Sequence, residues 1–189
     1  MFKEIKCDLC GKAHYEILYR NTKPADIKNG YSISDPFPKM PDSIVRCLGC
    51  GLVYVNSGKS YEDILDAYTN MVDEEYIAEE KGRRKSARAI LKRLSRLKKR
   101  GRILDVGCAA GLFLDEAKKQ GWEVHGVEPS KWCAEYARKN LDIEVFVGAV
   151  KDAGLRKNFF DVVVLQDTIE HLPDPKKTLT DVRHVLKPD

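Results

Sequence analysis

The stretch Ile103-Leu104-Asp105-Val106-Gly107-Cys108-Ala109-Ala110-Gly111-Leu112-Phe113-Leu114 constrains the fold of this chain more than any other. A short apolar run breaks into small residues and resumes with the spacing of a helix. A strand that is apolar along its length is buried on both faces, which calls for parallel neighbours and covering helices. The pattern then repeats. Residues 112–120 read as a helix closed by Gly121, 123–127 as a strand, and Ser130 as the N-cap of a helix reaching about Asn140. Residues 143–147 and 161–165 read as further strands, and Asp174-Pro175 as the N-cap and first turn of a last helix to Leu186. The expected architecture for residues 101–189 is α/β, a parallel sheet with helices on both faces.

Residues 1–56 follow another plan. Cys7-Asp8-Leu9-Cys10-Gly11 and Cys47-Leu48-Gly49-Cys50-Gly51 are matching C-x-x-C-G knuckles separated by a segment rich in turn formers. Strand-like pieces at 15–19, 44–46 and 52–55 lie beside them. A C-x-x-C turn brings both thiolates to one side, and the glycine supplies the positive φ such a turn often needs. Four thiolates complete a tetrahedral Zn²⁺ shell and leave no open position, so a structural zinc on Cys7, Cys10, Cys47 and Cys50 is expected. A β-rich module this small buries little apolar surface, and zinc would contribute on the order of 10 kcal/mol to its folding. His14 is expected to be an ordinary surface or core residue. Cys108 and Cys133 lack a recognisable base partner, so no nucleophilic or redox role is expected of them.

Residues 57–100 read as a helical connector. Tyr61, Ile64, Leu65 and Tyr68 recur at helical spacing, as do Ala87, Ile90, Leu91, Leu94 and Leu97, with Gly101 as the expected C-terminal cap. The second helix is strongly basic, yet the whole chain carries a formal charge of only +4. Four zinc-bound thiolates would lower that by about two units. Charges around an apolar stripe are first of all a solvated helix face, so nucleic acid is not called for. With 43% apolar and 33% charged residues, a packed fold is expected rather than disorder. No apolar run approaches the roughly 20 residues of a membrane span, and the charged start lacks a signal-peptide core. Cysteine knuckles suit a reducing compartment, so the expected location is cytoplasmic.

The loop at 107–111 spaces its glycines as G-x-x-x-G. That is not the dinucleotide fingerprint G-x-G-x-x-G, and no Lys-Ser/Thr follows Gly111 as a P-loop requires. The phrase Val124-His125-Gly126-Val127-Glu128-Pro129-Ser130 places an acid at the end of the next strand, about 20 residues past the loop, where a carboxylate accepts both ribose hydroxyl hydrogens. His125, mid-strand, reads as a packing residue.

Taken in order, the residues from Asp105 to Gly111, Val127-Glu128-Pro129-Ser130, Phe160-Asp161-Val162-Val163-Val164 and Ile169-Glu170-His171-Leu172-Pro173-Asp174-Pro175 resemble the motifs of class I S-adenosylmethionine (SAM)-dependent methyltransferases. The resemblance covers about residues 101–189. It implies a Rossmann-like parallel sheet and SAM as cofactor. By position it implies Gly107 and Gly111, with Cys108 in the same loop, beside the methionine and ribose portions, and Asp105 near the amino group. Glu128, followed by Pro129, would hold the ribose, and Ala149 and Val150 would border adenine. Gln166 and Asp167 would face the methionine end. Many relatives carry an acid at the adenine position; this chain does not, which leaves adenine to backbone N–H groups and apolar contact. Ala109 stands where glycine is commoner.

Methyl transfer from a sulfonium needs alignment and exclusion of water, and a base only where the acceptor must lose a proton. His171 and Glu170 are the candidate catalytic residues. In quinone-pathway O-methyltransferases a similar acidic-x-x-Glu-His group binds a divalent ion; alternatively Glu170-His171 orders its loop and orients SAM. The whole chain is similar to the branch with an N-terminal zinc module, often associated with sugar or cell-surface polysaccharide modification. A small-molecule acceptor is therefore expected, a sugar among the candidates. The competing expectations are an RNA methyltransferase using the basic stretch 83–100 and a non-catalytic zinc- and SAM-binding assembly protein. The family's sheet continues for three strands past the point where this sequence stops, and Val185-Leu186-Lys187-Pro188 resembles its turn into the fifth. Four strands alone would leave the fourth at an open edge; either the sequence is a piece of a longer chain, or that edge pairs with another chain in a homo-oligomer.

Overall fold

The structure, a computed structural model, describes residues 6–20, 43–56, 68–172 and 174–188. Near the N-terminus β1 (Tyr15–Arg20), β2 (Ser43–Cys47) and β3 (Val53–Val55) form an antiparallel sheet in the order β1-β2-β3. Tyr15 lies opposite Cys47 and Ile44 opposite Val55, with Val45 and Cys47 buried on the central strand. Of the predicted stripe at Tyr61, Ile64, Leu65 and Tyr68, only Tyr68 falls within the described residues.

Two helices lead into the larger domain. Asp73 caps α1 (Glu74–Ala78) by accepting the Tyr76 N–H at 3.0 Å. The next helix, α2 (Glu80–Leu94), stops well short of Gly101, contrary to the expectation from sequence. The Ser95 N–H still donates to Leu91 O, but the Ser95 hydroxyl turns back to Lys92 O at 2.9 Å and the chain leaves the helix. Leu97, the last residue of the predicted stripe, is consequently 87% exposed. Gly101 has a different duty. Its φ is +152°, and a Cβ there would lie 2.6 Å from Asp161 Oδ2. That carboxylate accepts the Arg102 N–H at 2.8 Å and pairs with Lys187 and Lys98 at 2.8 and 2.9 Å. The Arg102 N–H first, then the two lysines, hold the Asp161 carboxyl well below the usual range.

Four strands form the main sheet: β4 (Arg102–Val106), β5 (Glu123–Glu128), β6 (Val145–Val147) and β7 (Val162–Val164). All pairings are parallel, in the order β6-β5-β4-β7. Helices α3 (Leu112–Lys119), α4 (Lys131–Leu141) and α5 (Pro175–Val185) cross between or follow them. Successive strand residues point to opposite faces. Ile103 therefore joins Leu91, Phe113, Leu114, Ala117 and Ala137 in one core, while Leu104 and Val106 join Val127, Phe160, Val182 and Val185 in the other. The expected α/β fold with both faces of its sheet covered is the observed one, a Rossmann-like arrangement.

The predicted caps are in place. Ser130 accepts the Cys133 N–H at 3.2 Å, and Asp174 accepts the Lys177 N–H at 2.8 Å with Pro175 opening α5. Ile143 does not belong to β6: its N–H donates to Ala137 O and its side chain fills the core, so the strand begins at Val145. After α5, Leu186 bridges Phe160 in parallel and the Lys187 N–H donates to Phe160 O at 2.9 Å, so this segment runs beside the start of β7. No helix among the described residues is long and apolar enough to cross a membrane. The sheet grows from β4 through β5 to β6 on one side and to β7 on the other. Their carboxyl ends, where the order reverses, are the place for a ligand crevice.

Candidate cofactor site and cysteine cluster

The loop after β4 is held from two directions. Its Gly107 and Cys108 N–H groups donate to Val127 O at 2.8 and 3.2 Å. The Ala109 N–H donates to Glu128 Oε2 at 2.9 Å, while Glu128 Oε1 accepts the Ser130 N–H at 2.8 Å. One carboxylate at the end of β5 thus ties the loop after β4 to the start of α4. At Gly107, φ is +75° and a Cβ would lie 2.6 Å from Thr168 Oγ1, so only glycine lets the two segments pass. Ala109 takes a left-handed φ of +45°, and Asp167, across the crevice, one of +51°. Each costs a residue with a side chain about 1–2 kcal/mol.

The crevice is a cavity of about 1040 Å³. Asp105, Gly107, Cys108, Glu128, Pro129, Ala149, Val150, Gln166, Asp167 and His171 all line it. Gly111 and Glu170 do not. Gly111 is the N-cap of α3 at φ +78°, and a Cβ there would sit 3.0 Å from the Ala137 Cβ, so it sets the packing of α3 on α4. Glu170 is exposed on the short turn Ile169–His171. Reading the sequence missed Tyr76, Glu79, Arg83 and Ser86, which close the cavity from the connector, together with Thr168 and Thr178. Only Tyr68 had a signal, its helical spacing. It lines the cavity with its ring edge-on to His171, centroids 6.2 Å apart. Gly126, also missed, makes room for Cys108: a Cβ there would be 2.7 Å from its Sγ.

Electrostatics give the cavity an acidic floor. Asp105 is buried, and burial together with the charge of Glu128 pushes its carboxyl up to about 7. Burial raises Glu128 too, against the lowering effect of the Ser130 and Ala109 N–H groups. Two unrelieved acids facing one space suit a ligand that brings a cation and hydroxyl donors. Burial, with Asp105 and Glu128 nearby, raises the Cys108 thiol well above its usual value, and burial takes Cys133 up to about 12. Neither is a thiolate near neutral pH, in keeping with the sequence. His125 packs edge-on against Phe159 and Phe160. Asp167, Glu170 and His171 do not converge as metal donors; among the described residues the cysteines are the one group that does.

The sulfurs of Cys7, Cys10, Cys47 and Cys50 all lie within 4.8 Å of one another. Cys7 and Cys50 are 3.6 Å apart, and Cys10 and Cys47 3.5 Å. Ligand bonds of about 2.3 Å to a tetrahedral zinc require sulfurs about 3.8 Å apart, whereas a disulfide requires about 2.0 Å. The spacing fits the metal. Each knuckle is closed by its glycine, the Gly11 N–H on Cys7 O and the Gly51 N–H on Cys47 O, with φ of +73° and +80°. The Gly49 N–H donates to Cys47 Sγ at 3.3 Å. His14 is exposed, as expected, and its carbonyl accepts the Leu48 N–H.

A parallel sheet, a small-residue loop at its order reversal and a buried acid on the adjacent strand together define an α/β domain built to bind an adenosyl-type cofactor. A methyltransferase-domain family model matches residues 79–189, and the chain belongs to that family. It is 36% identical over 93 residues to a ubiquinone biosynthesis O-methyltransferase of Alkalilimnicola ehrlichii, covering 46% of this chain and 38% of that one. It is 30% identical over 100 residues to the Histophilus somni protein of the same name, covering 47% and 41%. The chain thus spans about two fifths of the length of these curated relatives. Among solved structures it is similar to Haemonchus contortus phosphoethanolamine N-methyltransferase 2 in complex with S-adenosyl-L-methionine (TM-score 0.49, 30% identity, 55% of this chain and 26% of that one). It is also similar to a SAM-dependent methyltransferase from Aquifex aeolicus (TM-score 0.45, 23% identity, 51% and 57%).

Proposed function

We propose that the protein is a SAM-dependent methyltransferase acting on a small-molecule acceptor. The observation that carries this reading is the Glu128 carboxylate, which braces the Ala109 loop and still faces the cavity beside Asp105. SAM supplies a methyl group on a positively charged sulfur, next to an ammonium and a ribose diol. Glu128 accepts the ribose hydroxyls, Asp105 takes the ammonium, and Ala149 and Val150 border the adenine. Gln166 and Asp167 close the methionine end. His171, facing the cavity beside Tyr68, is the group placed to receive a proton from an acceptor. Glu170 lies outside the cavity, exposed on the turn that carries His171.

The relatives named as O-methyltransferases support an oxygen acceptor, and a sugar hydroxyl is the candidate we retain. Zinc on Cys7, Cys10, Cys47 and Cys50 serves structure, since four sulfurs leave it no open position. The RNA reading is the weaker alternative: within the basic stretch Arg84 and Arg88 are paired to Asp115 and Glu116, and Lys98 to Asp161. The test is calorimetric titration of zinc-replete protein with S-adenosylhomocysteine, the demethylated product. Saturable one-site binding that Glu128→Ala removes is expected. No saturable heat from folded protein refutes the assignment.

A further inference from the structure

Two adjacent arginines on α2 point apart. Arg83 faces the cavity, its guanidinium 3.9 Å from the centroid of the Tyr76 ring and paired with Glu79 at 2.6 Å. Arg84 turns away and meets three carboxylates: Glu80 at 2.6 Å, Glu116 at 2.9 Å, and Asp115. Asp115 and Glu116 lie near the start of α3, directly after the cofactor loop, and their side chains are only 11% and 9% exposed. Arg88 and Lys119 complete the network.

Successive helix residues are about 100° apart around the axis. Fixing Arg84 against α3 therefore fixes the roll of α2, and with it the side that Arg83 and Ser86 present to the cavity. The apolar contacts of α2, with Ala87 and Leu91 buried and Ile90 and Leu94 packed against the same core, set which side faces inward but are non-directional; the ion pairs add direction to that seat. A planar guanidinium bound by several carboxylates is directional in a way an ammonium is not.

We propose that Arg84 is a positioning residue for ligand binding: it couples the cavity wall carried by α2 to the helix that begins at the cofactor loop. The proposal rests on reading the cavity as the SAM site. Its test uses the full zinc-loaded chain and the variants Arg84→Met, Arg84→Lys and Glu116→Gln. Well below each variant's melting temperature, Arg84→Met is expected to weaken S-adenosylhomocysteine binding about tenfold, with Glu116→Gln adding little when combined with it. Arg84→Lys is expected to restore melting temperature more fully than affinity. In the absence of ligand, amide exchange should quicken across residues 79–88 in Arg84→Met and stay unchanged in β4 and β5. Parent-like affinity and exchange in a folded Arg84→Met overturns the proposal; should that variant not fold, parent-like values in Glu116→Gln do so. If the parent chain binds no S-adenosylhomocysteine, the cofactor reading falls, and the ligand-free exchange still decides the role of Arg84.

Discussion

Replacing Glu128 by Gln removes one charge and almost no volume, so its effect is that of hydrogen bonding and charge alone. Both carboxylate oxygens are engaged, one by the Ala109 N–H at 2.9 Å and one by the Ser130 N–H at 2.8 Å. A glutamine offers one oxygen and one NH₂, so whichever way the amide turns, one backbone N–H faces a donor. The loss of a charge-assisted hydrogen bond is about 1.5–3 kcal/mol, and the stranded N–H adds about 1–3. Against this, removing a buried charge beside Asp105 returns about 1–2 kcal/mol of desolvation and repulsion. The net expectation is a destabilisation of about 2 kcal/mol, a fall in melting temperature of about 4–8 °C for a chain of this size. S-adenosylhomocysteine affinity should fall by more, at least about tenfold, because on the proposed reading the same group braces the loop and receives the ribose. The Asp105 carboxyl, held near 7 by burial and then by Glu128, should titrate lower in the variant, followed by carboxyl-carbon NMR. A Glu128→Gln protein with the parent's melting temperature and affinity would show that this carboxylate neither holds the loop nor meets the ligand.

Asp105 also predicts a proton. Its folded carboxyl is raised, so without ligand the folded state holds more protons than the unfolded chain, and stability falls as pH climbs from about 4 to about 7. An ammonium placed beside it reverses the shift, so binding near pH 6.5 should release protons, seen as a binding enthalpy that varies with the ionisation heat of the buffer; no variation refutes that contact. Gly107→Ala should lower stability by about 3 kcal/mol through its positive φ and the collision with Thr168. Adding Thr168→Ala should recover only the steric share, as measured by denaturant unfolding. Zinc analysis should give one metal per chain, and chelation or Cys47→Ser should remove amide protection from β1–β3 while β4 and β5 keep theirs. Unchanged protection in all strands would contradict a structural metal.

The parts of this molecule that were readable in the sequence are those set by neighbours along the chain. Ser130 and Asp174 announce their helices because a cap is a contact made within three residues. The strands β4 and β7 announce themselves by short apolar runs, Ile103-Leu104 and Val162-Val163-Val164, as a sheet covered on both faces requires. What misled was Gly101, whose meaning lies in Asp161, sixty residues on: the glycine makes room for a carboxylate and caps no helix. Gly111 likewise has a partner far along the chain, since a Cβ there would meet Ala137. The connector's share of the cavity was illegible, because Tyr76, Arg83 and Ser86 acquire a function only when α2 docks on α3. That docking joins residues about 25 to 30 positions apart in sequence, through a shared apolar core and through ion pairs.

The pairing of Glu128 with Ala109 bears on how such a site binds at all. A carboxylate oxygen has two lone-pair directions, and each Glu128 oxygen spends one on a backbone N–H. The other remains open toward the cavity, so on the proposed reading the group that would receive a diol is fixed before the ligand arrives. Fixing it has a conformational cost, visible as left-handed backbone at Ala109. Alanine is not glycine, so this backbone shape is imposed by the surroundings rather than permitted by the residue. At Ala109 the imposing contact is the N–H···Glu128 bond, which gains strength from the low dielectric that raises the acid. Burial, strain and the raised carboxyls are therefore aspects of one arrangement. The ligand that relieves them must bring hydrogen-bond donors and positive charge to the carboxyl ends of β4 and β5.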